Sequence, residues 1–571
     1  MGGIADATGI HFRMLNKSKG PAVWSPRCQN DREWYSREAK RRVFAQNGLI
    51  VVQDSLKDVI VERRRVVGVV TSRGRRIACS GVVICGGTFL NGVMHTGNTC
   101  QPGGRFGEGS SNGLTVKLKQ FGFVAGRLKT GTPPRLALDT LDLASTEVQL
   151  PDDPPSPFSH QTECISNRQI PMYLTYTTPV THDILRSGFA DSPMFSGRIK
   201  GVGPRYCPSI EDKINRFEDR ERHQIFLEPE GYDSNVAYVN GFSTSLSADT
   251  QSKAIRTIPG LEKAKMLRAG YAVEYDFFPP HQLEHTMETK IVGGLYFAGQ
   301  INGTSGYEEA AGQGLIAGIN AALKVRRKEP FILSRSDSYI GVMIDDLINK
   351  STDEPYRIFT SRAEFRLLLR QDNADSRLMR KGFKLGLVSD QLIRRLEEKE
   401  SRVNAARELM DSQFITPNEV NGLLEMLGSP LITEPLPLSQ VAKRPEVRLR
   451  GLLQIGRIIS LDPIRALLTD EKAVERLEIE LKYEGYLKRQ ELQVGQFKRA
   501  EGTPIPPEFP FSTIKSLSSE GREKLNRVKP RSLGQASRIS GVTNADLSVL
   551  MIALMRDRDV PRGTQEEVKS R

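Results

Sequence analysis

The stretch GLYFAGQINGTSGYEEAAGQGLIAGINAALKV constrains the fold of this chain more than any other. Leu295–Ala298 is a short apolar run suited to a buried strand. Gly299 to Gly306 form a polar turn holding three glycines, and the small residues from Glu308 to Ala322 read as a tightly packed helix. A helix N-terminus behind glycines presents free N–H groups and a partial positive charge, which can hold an anionic cofactor. Packing of a Gly/Ala-rich helix on a sheet suits a dinucleotide-binding domain. The spacing is not a strict G-x-G-x-x-G, so a well-packed helix without a ligand also satisfies the residues.

The other β signals surround this unit. From Leu49 to Gly87, short β-branched runs alternate with polar turns. Arg73-Gly74-Arg75 between Val66–Thr71 and Ile77–Cys79 predicts a hairpin. Val82–Cys85 runs into Gly86-Gly87, which is either a close backbone approach or an ordinary tight turn. TGNTCQPGGRFGEGSSNGL reads as one glycine-rich loop of about twenty residues, long for a passive connection. PDDPPSPFSHQTECISNRQIP reads as a surface loop or domain edge. After about residue 330 the texture becomes helical, with a charged amphipathic helix from Gln391 to Gln413 and a proline-punctuated linker, GSPLITEPLPLSQVAKRP. The pattern is an α/β front with a helical rear.

Composition narrows the class. Of 571 residues 38% are hydrophobic and 26% charged, which excludes wholesale disorder. No stretch approaches the roughly 18 continuous apolar residues of a membrane span, so membrane insertion is not expected. Six scattered cysteines contain no C-x-x-C pair, which removes the zinc-ribbon signal and favours a reducing compartment. MGGIADATGIHF carries no secretory signal and no Arg-rich presequence, and the chain reads as beginning inside a domain. The net charge of +13 suits a polyanionic partner such as RNA, although a generally basic surface gives the same number. KRPEVRLRGLLQIGR, KYEGYLKRQ and KPRSLGQASRISG interleave basic and apolar or aromatic residues in the rear, which fits RNA contact against a background of solvated helical faces.

GPRYCPSIEDKINRF, Gly203 to Phe217, sets Cys207 among Arg205, Tyr206, Glu211, Asp212, Lys213 and Arg216. A free cysteine is usually a small buried apolar residue. Here Arg205 and Lys213 can stabilise the thiolate. SIEDKINRF reads as a helix capped by Ser209, which puts Cys207 just before a helix N-terminus, where thiol pKa falls. Packing and chemistry both stay open on the residues alone. His223, before a strand in HQIFLEPEGYDSNVAYVNGFSTSL, is a candidate acid–base group or a satisfied structural histidine.

Several long stretches resemble the MnmG/GidA family: FRMLNKSKGPAVWSPR, GRLKTGTPPR, GVGPRYCPSIEDKINRF, NGFSTSL, GYAVEYDFFPP, GLYFAGQINGTSGYEEAAGQGLIAGINAA, DEPYRIFTSRAEFRLLLRQDNAD and LGQASRISGVT. They span residues 12 to 543. The resemblance implies a flavoprotein that works with an MnmE-type GTPase to modify C5 of the wobble uridine in certain tRNAs. It implies FAD and NADH as cofactors, methylenetetrahydrofolate as one-carbon donor, and a homodimer within a heterotetramer. It places FAD contacts at Gln300 with Gly299, Asn302 and Gly303, and further contacts at Leu56 and Ser111. It makes Gly203, Pro204, Arg205, Tyr206, Pro208, Ser209, Ile210, Glu211, Asp212, Lys213 and Phe217 an NAD-binding segment around a catalytic Cys207. No metal site is implied. The compartment is expected to be the cytoplasm, or the mitochondrion for a eukaryotic source.

The family opens with a strand, a G-x-G-x-x-G turn and a helix that grip the FAD pyrophosphate, followed by a second cysteine in a C-N-P-A-I-G-G stretch. Neither is in this sequence. The expectation is an exposed strand edge and a missing pyrophosphate site. The expected architecture is an α/β FAD-binding domain of the glutathione-reductase-like Rossmann type with an inserted α/β domain, followed by an α-helical C-terminal region. The expected bounds are a partial FAD-binding domain at 1–145, an inserted NAD/substrate-side domain at 146–285, a return to the FAD-binding domain at 286–330, a helical domain at 331–480 and a tRNA/partner-binding helical domain at 481–571. The expected function is FAD- and NADH-dependent wobble-uridine modification. The alternative is a flavin-free tRNA- or GTPase-binding protein.

Overall fold

A computed structural model describes residues 1–203, 208–350, 354–501 and 503–559. The strand–turn–helix unit expected from sequence is present. Strand Val82–Ile84 lies parallel to strand Leu295–Phe297, with Leu295 opposite Val82 and Phe297 opposite Ile84, and helix Tyr307–Val325 follows the second strand. Both strands are apolar throughout, as suits a parallel pair covered on its faces. Leu295, Phe297, Ile316 and Ala317 join Phe123, Phe278, Met287 and Leu347 in one core, so helix Tyr339–Lys350 packs into the α/β unit.

Leu49–Val52 departs from the sequence reading. This β-branched run forms no strand and is exposed, Ile50 to 86%. Within the 49–87 stretch the first strand starts at Leu56, in a three-stranded antiparallel sheet of Leu56–Glu62, Arg65–Thr71 and Arg76–Ala78. The last two strands form the hairpin expected around Arg73-Gly74-Arg75. A β-branched run becomes a strand only where a neighbour offers a ladder, and none lies beside 49–52.

Besides the two-stranded antiparallel pair Gly9–Leu15 with Ser25–Asn30, two larger antiparallel sheets complete the front. One has six strands in the order Glu147–Gln149, Met172–Tyr176, Gln224–Pro229, Val236–Asn240, Arg135–Ala137 and Met266–Arg268. The other has four, in the order Thr99–Pro102, Val93–Thr96, Tyr271–Phe277 and Gly126–Thr132. The glycine-rich stretch read as a single loop therefore contributes a strand, Thr99–Pro102, paired with Val93–Thr96, and only 103–113 stays a loop.

The rear holds two helical cores, one around Val403, Leu424, Leu452 and Leu477, the other around Ile505, Leu525, Ala536 and Leu550. The segment read as a proline-punctuated linker is packed into the first. Ile432, Leu438 and Val441 are buried, and Asn421 holds the Ile432 backbone through both its carboxamide atoms at 2.9 and 3.0 Å. The C-terminal bundle docks on the α/β unit through Arg531–Glu284 at 2.6 Å, Arg538–Asp345 at 2.7 Å and a bond from Lys290 Nζ to the Val528 carbonyl at 2.8 Å. Among the described residues no helix is long and apolar enough to cross a membrane.

Candidate functional site

The C-terminal ends of the two parallel strands converge on two glycine turns, the place where open parallel sheets hold ligands. The first turn follows Ile84. Gly87 has φ +56°, a conformation open to glycine at little cost, and the Thr88 hydroxyl donates to the Gly104 carbonyl at 2.6 Å. Loop 103–113 is thereby drawn onto the turn. Ser111 lies in that contact, with its N–H donating to the Phe89 carbonyl at 2.8 Å and its carbonyl accepting from Asn91 at 3.0 Å.

The second turn, 299–306, is fixed from inside. Gly299 sits at φ +83°. Its N–H donates to Gln313 Oε1 at 2.9 Å, and Asn302 Nδ2 donates to the same oxygen at 2.8 Å. Gln313 Nε2 in turn donates to Thr304 Oγ1 at 3.2 Å. Gln300 projects from this frame half-buried, with its Nε2 3.5 Å from the hydroxyl of Tyr275. Burial pushes the Tyr275 phenol well above its ordinary pKa, so it stays protonated. The structure thus brings Gly299, Gln300, Asn302, Gly303 and Ser111 to one end of the parallel pair. Leu56 stands apart, at the start of the three-stranded sheet, where it packs against the shared core.

The donor set suits the flat, hydrogen-bonding ring of a flavin. Gln300 offers a carboxamide between two glycine turns, and Asn302 Oδ1 is a buried acceptor with no hydrogen-bond partner among the described residues. The N-terminus of helix Tyr307–Val325 does not suit a pyrophosphate. Glu308 and Glu309 occupy its first turn. The buried Glu309 carboxylate accepts from Ile358 N–H at 2.9 Å and lies where a side chain on Gly306 would sit. The positive end of that helix is already compensated by its own chain.

The Gly203–Phe217 segment starts beside strand Gly126–Thr132 of the four-stranded sheet. Pro204, Arg205, Tyr206 and Cys207 lie outside the described residues. The helix expected after them is present as Ile210–Arg216. The Ser209 hydroxyl accepts from Asp212 N–H, and the Asp212 carboxylate reaches back to the Ser209 N–H, so the two close a capping box. Glu211 is fully buried and accepts from the Ser245 N–H at 2.8 Å. Lys213 Nζ donates to the Gly241 carbonyl at 2.8 Å. Val202 forms a bridge with Leu128, a residue that also lies against Gly303. Strand Gly126–Thr132 therefore touches both the 299–303 turn and the start of the 203–217 segment. The next residue on that strand, Lys129, is a buried lysine whose Nζ lies 2.9 Å from Met194 Sδ, and Gly203 packs on its stem.

Gln313, Tyr275 and Lys129 escaped the sequence reading. Lys129 stands inside GRLKTGTPPR, a quoted motif, but nothing local marks its burial. His223 is buried against His182, with ring centroids 5.3 Å apart, and its pKa falls to about 4 through burial, His182, Lys213 and Arg220. It is neutral at pH 7 and serves the six-stranded sheet. The rear basic clusters are largely paired. Lys443 meets Glu484, Arg448 meets Glu478, Arg450 meets Glu471 and Arg457 meets Glu419. Arg531 and Arg538 dock the bundle. Among the described residues no group of three His, Cys, Asp or Glu could hold a metal ion.

Known proteins share this arrangement. The family profile described as "Glucose inhibited division protein A" matches residues 1–329, and the two MnmG/GidA C-terminal helical profiles match 390–491 and 493–571. This chain belongs to the MnmG/GidA family. It is 48% identical over 562 residues to the tRNA uridine 5-carboxymethylaminomethyl modification enzyme MnmG of Flavobacterium psychrophilum, covering 97% of this chain and 89% of that protein. The protein of the same name from Salinibacter ruber is also 48% identical over 562 residues, covering 98% and 84%. The solved structure of Aquifex aeolicus GidA superposes with a TM-score of 0.86 at 42% identity, covering 97% of this chain and 88% of that one.

Proposed function

We propose that this MnmG/GidA chain is a flavin-dependent enzyme that modifies C5 of the wobble uridine in tRNA, using FAD, NADH and methylenetetrahydrofolate beside an MnmE-type GTPase. The observation that carries the reading is the near full-length likeness to relatives named for tRNA uridine modification. The convergence of the 86–92 and 299–306 turns supports it. Bound flavin would supply the redox chemistry. Gln300 would hold the edge of the ring, with Tyr275 orienting its carboxamide and Ser111 closing the opposite turn. Lys129 packs its stem against Gly203, at the root of the segment that carries Cys207. A thiolate there is the group this chain offers as nucleophile or proton-transfer partner toward the uracil. Domain bounds, dimer formation and the heterotetramer remain part of the proposal.

The test is modification of a tRNA transcript by the purified chain, its partner GTPase and the small-molecule substrates, read by nucleoside mass spectrometry. Cys207→Ser is expected to abolish product; undiminished product removes Cys207 from the chemistry. Compensation of the helix N-terminus by Glu309 favours a second reading, a tRNA-binding chain without flavin. A visible flavin band in the chain as purified or after incubation with FAD overturns that second reading, and its absence under both conditions overturns the first.

A further inference from the structure

Several cations of the rear clusters are paired with acids, and a second concentration of positive charge lies on the α/β unit. Seven cations gather at the opposite pole of the α/β unit from the glycine turns. Arg63 and Arg64 form the turn between strands Leu56–Glu62 and Arg65–Thr71, and Arg65 opens the second strand. Lys324, Arg326, Arg327 and Lys328 end helix Tyr307–Val325. The two groups are stitched together by Gly293, whose N–H donates to the Arg64 carbonyl at 2.8 Å. A side chain built on Gly293 would meet Arg65 Cγ at 3.5 Å and Lys324 Nζ at 3.8 Å. Glu62, Glu288 and Glu329 are the acids of the cluster, and Glu288 is taken by Lys324. All the cations are exposed. Cations at a helix C-terminus are also what the helix dipole favours, so charge alone decides little.

Backbone geometry decides more. Arg63 and Arg64 hold φ of +47° and +61°, and Arg327 holds +55°. A two-residue hairpin turn with both central φ positive belongs to Asn-Gly or Gly-Gly, because a Cβ crowds the backbone in that region. Three of the seven non-glycine residues with positive φ among the described residues are cations of this one cluster. Arginine gains nothing for the turn itself, and strain of this kind persists where the side chains are needed for something else.

The cluster also continues into a cleft. Lys324 and Lys328 line a cavity of about 540 Å³ between the α/β unit and the C-terminal bundle, with Tyr296, Phe497 and Arg531 on its walls. Arg538 lies over the Phe497 ring at 5.2 Å. Glu284, Asp345 and Glu501 also line that cleft and hold Arg531 and Arg538, so its interior is closed to phosphate and the exposed cations at its mouth are what a polyanion meets. The RNA backbone of the tRNA reading above carries the regular phosphate charge that such a patch fits.

We propose that Arg63–Arg65 with Arg326–Lys328 form an RNA-backbone contact at the pole remote from the glycine turns. It rests on the tRNA reading above and adds a second place where that RNA touches the protein. The test uses the full chain and an unmodified tRNA transcript, with binding followed by fluorescence anisotropy across a sodium chloride series. The double variant Arg63→Asn, Arg64→Gly installs the favoured turn and removes two charges. It is expected to raise the melting temperature, lower affinity about tenfold at 0.1 M salt, and make the slope of log K against log salt shallower by about two. Arg327→Gly tests the other half, with a slope change of about one. Unchanged slopes in both variants, with the wild type still binding tRNA, overturn the patch and leave the function standing. A wild type that binds no tRNA overturns both. Loss of binding to phosphatidylserine vesicles in these variants, with tRNA binding intact, overturns the RNA assignment in favour of a membrane surface.

Discussion

Removing the carboxamide of Gln313 would strip two buried donors, Gly299 N–H and Asn302 Nδ2, of the acceptor they share. An abandoned buried donor costs about 1–3 kcal/mol. Asn302 keeps a second acceptor, the Phe297 carbonyl at 2.9 Å, so the loss falls mainly on Gly299. Gln313→Met is therefore expected to destabilise the chain by about 1–3 kcal/mol, to speed amide exchange at Gly299 and to weaken FAD binding. Gln313→Glu, held neutral by burial, keeps an acceptor and a donor and should stay near wild type in all three. Exchange at Gly299 that matches wild type in Gln313→Met would show that the turn holds itself. Arg335 gives a larger expected effect. Its side chain is 1% exposed and binds Asp345 at 3.0 Å, Asp346 at 2.7 Å and Glu364 at 2.8 Å. Arg335→Met leaves the buried acids short of a cation, a loss of about 3–5 kcal/mol, visible as a lower urea midpoint. Arg335→Lys should rescue little, since an ammonium cannot span three carboxylates and two carbonyls as the guanidinium does.

At the level of elements, the exposed run Leu49–Val52 makes a contrast with strand Val82–Ile84. Both are β-branched and apolar in sequence, but only the second has a ladder partner and a covered face. Ile50→Lys is expected to change stability by less than about 0.5 kcal/mol and to improve solubility. Ile84→Ala should cost about 2–5 kcal/mol. Equal effects in chemical denaturation would mean that 49–52 is covered in solution. This contrast marks what the sequence could tell. The hairpin at Arg73–Arg75, the capped helix Ile210–Arg216 and the unit from Leu295 to Val325 were legible because turn chemistry, a cap and periodicity are local signals. The glycine-rich stretch and the segment around Ile432 were misread because their partners, Val93–Thr96 and Asn421, decide their form. In the site, the glycine turn was legible locally, whereas Gln300 was singled out through the family resemblance. Tyr275 was not, because it acts on Gln300 from a strand far off in sequence. The partners of the rear basic clusters were hidden for the same reason, since Arg457 finds its acid in Glu419 and Arg538 in Asp345.

On the scale of the whole molecule, the docking of the C-terminal bundle on the α/β unit is a balance of charges that pH can tip. Arg531–Glu284 and Arg538–Asp345 draw the two together. His281 opposes them, and Lys290, although it donates to the Val528 carbonyl, sets its charge beside Arg531 and Lys529. His281 lies in the turn Pro280–Gln282, where burial, Arg527 of the bundle and Lys290 lower its pKa to about 4. Burial, with Arg531 and Lys529 opposing Glu284, lowers Lys290 to about 8. When the bundle lifts away, His281 regains water and loses Arg527, so its pKa returns toward 6.5. Between about pH 6.5 and 4 the undocked state then binds more protons than the docked one, and docking weakens as pH falls through that window. Above about pH 6.5 both states hold His281 neutral and its part of the pH dependence is over; Lys290, lowered to about 8, strengthens docking further only as pH rises through 8 toward its ordinary value. Across the acid window Asp345 stays ionised, held well below the carboxylate range by its His285 and Arg538 partners against burial, and His281 takes up a proton as the bundle lifts away. Hydrogen exchange in helices Ser519–Val528 and Leu533–Ser537, corrected for intrinsic rates, is expected to quicken as pH falls from 6.5 to 5. His281→Gln should flatten that dependence while leaving exchange at pH 7 unchanged. An identical pH dependence in the variant would place the acid-sensitive group elsewhere in the interface.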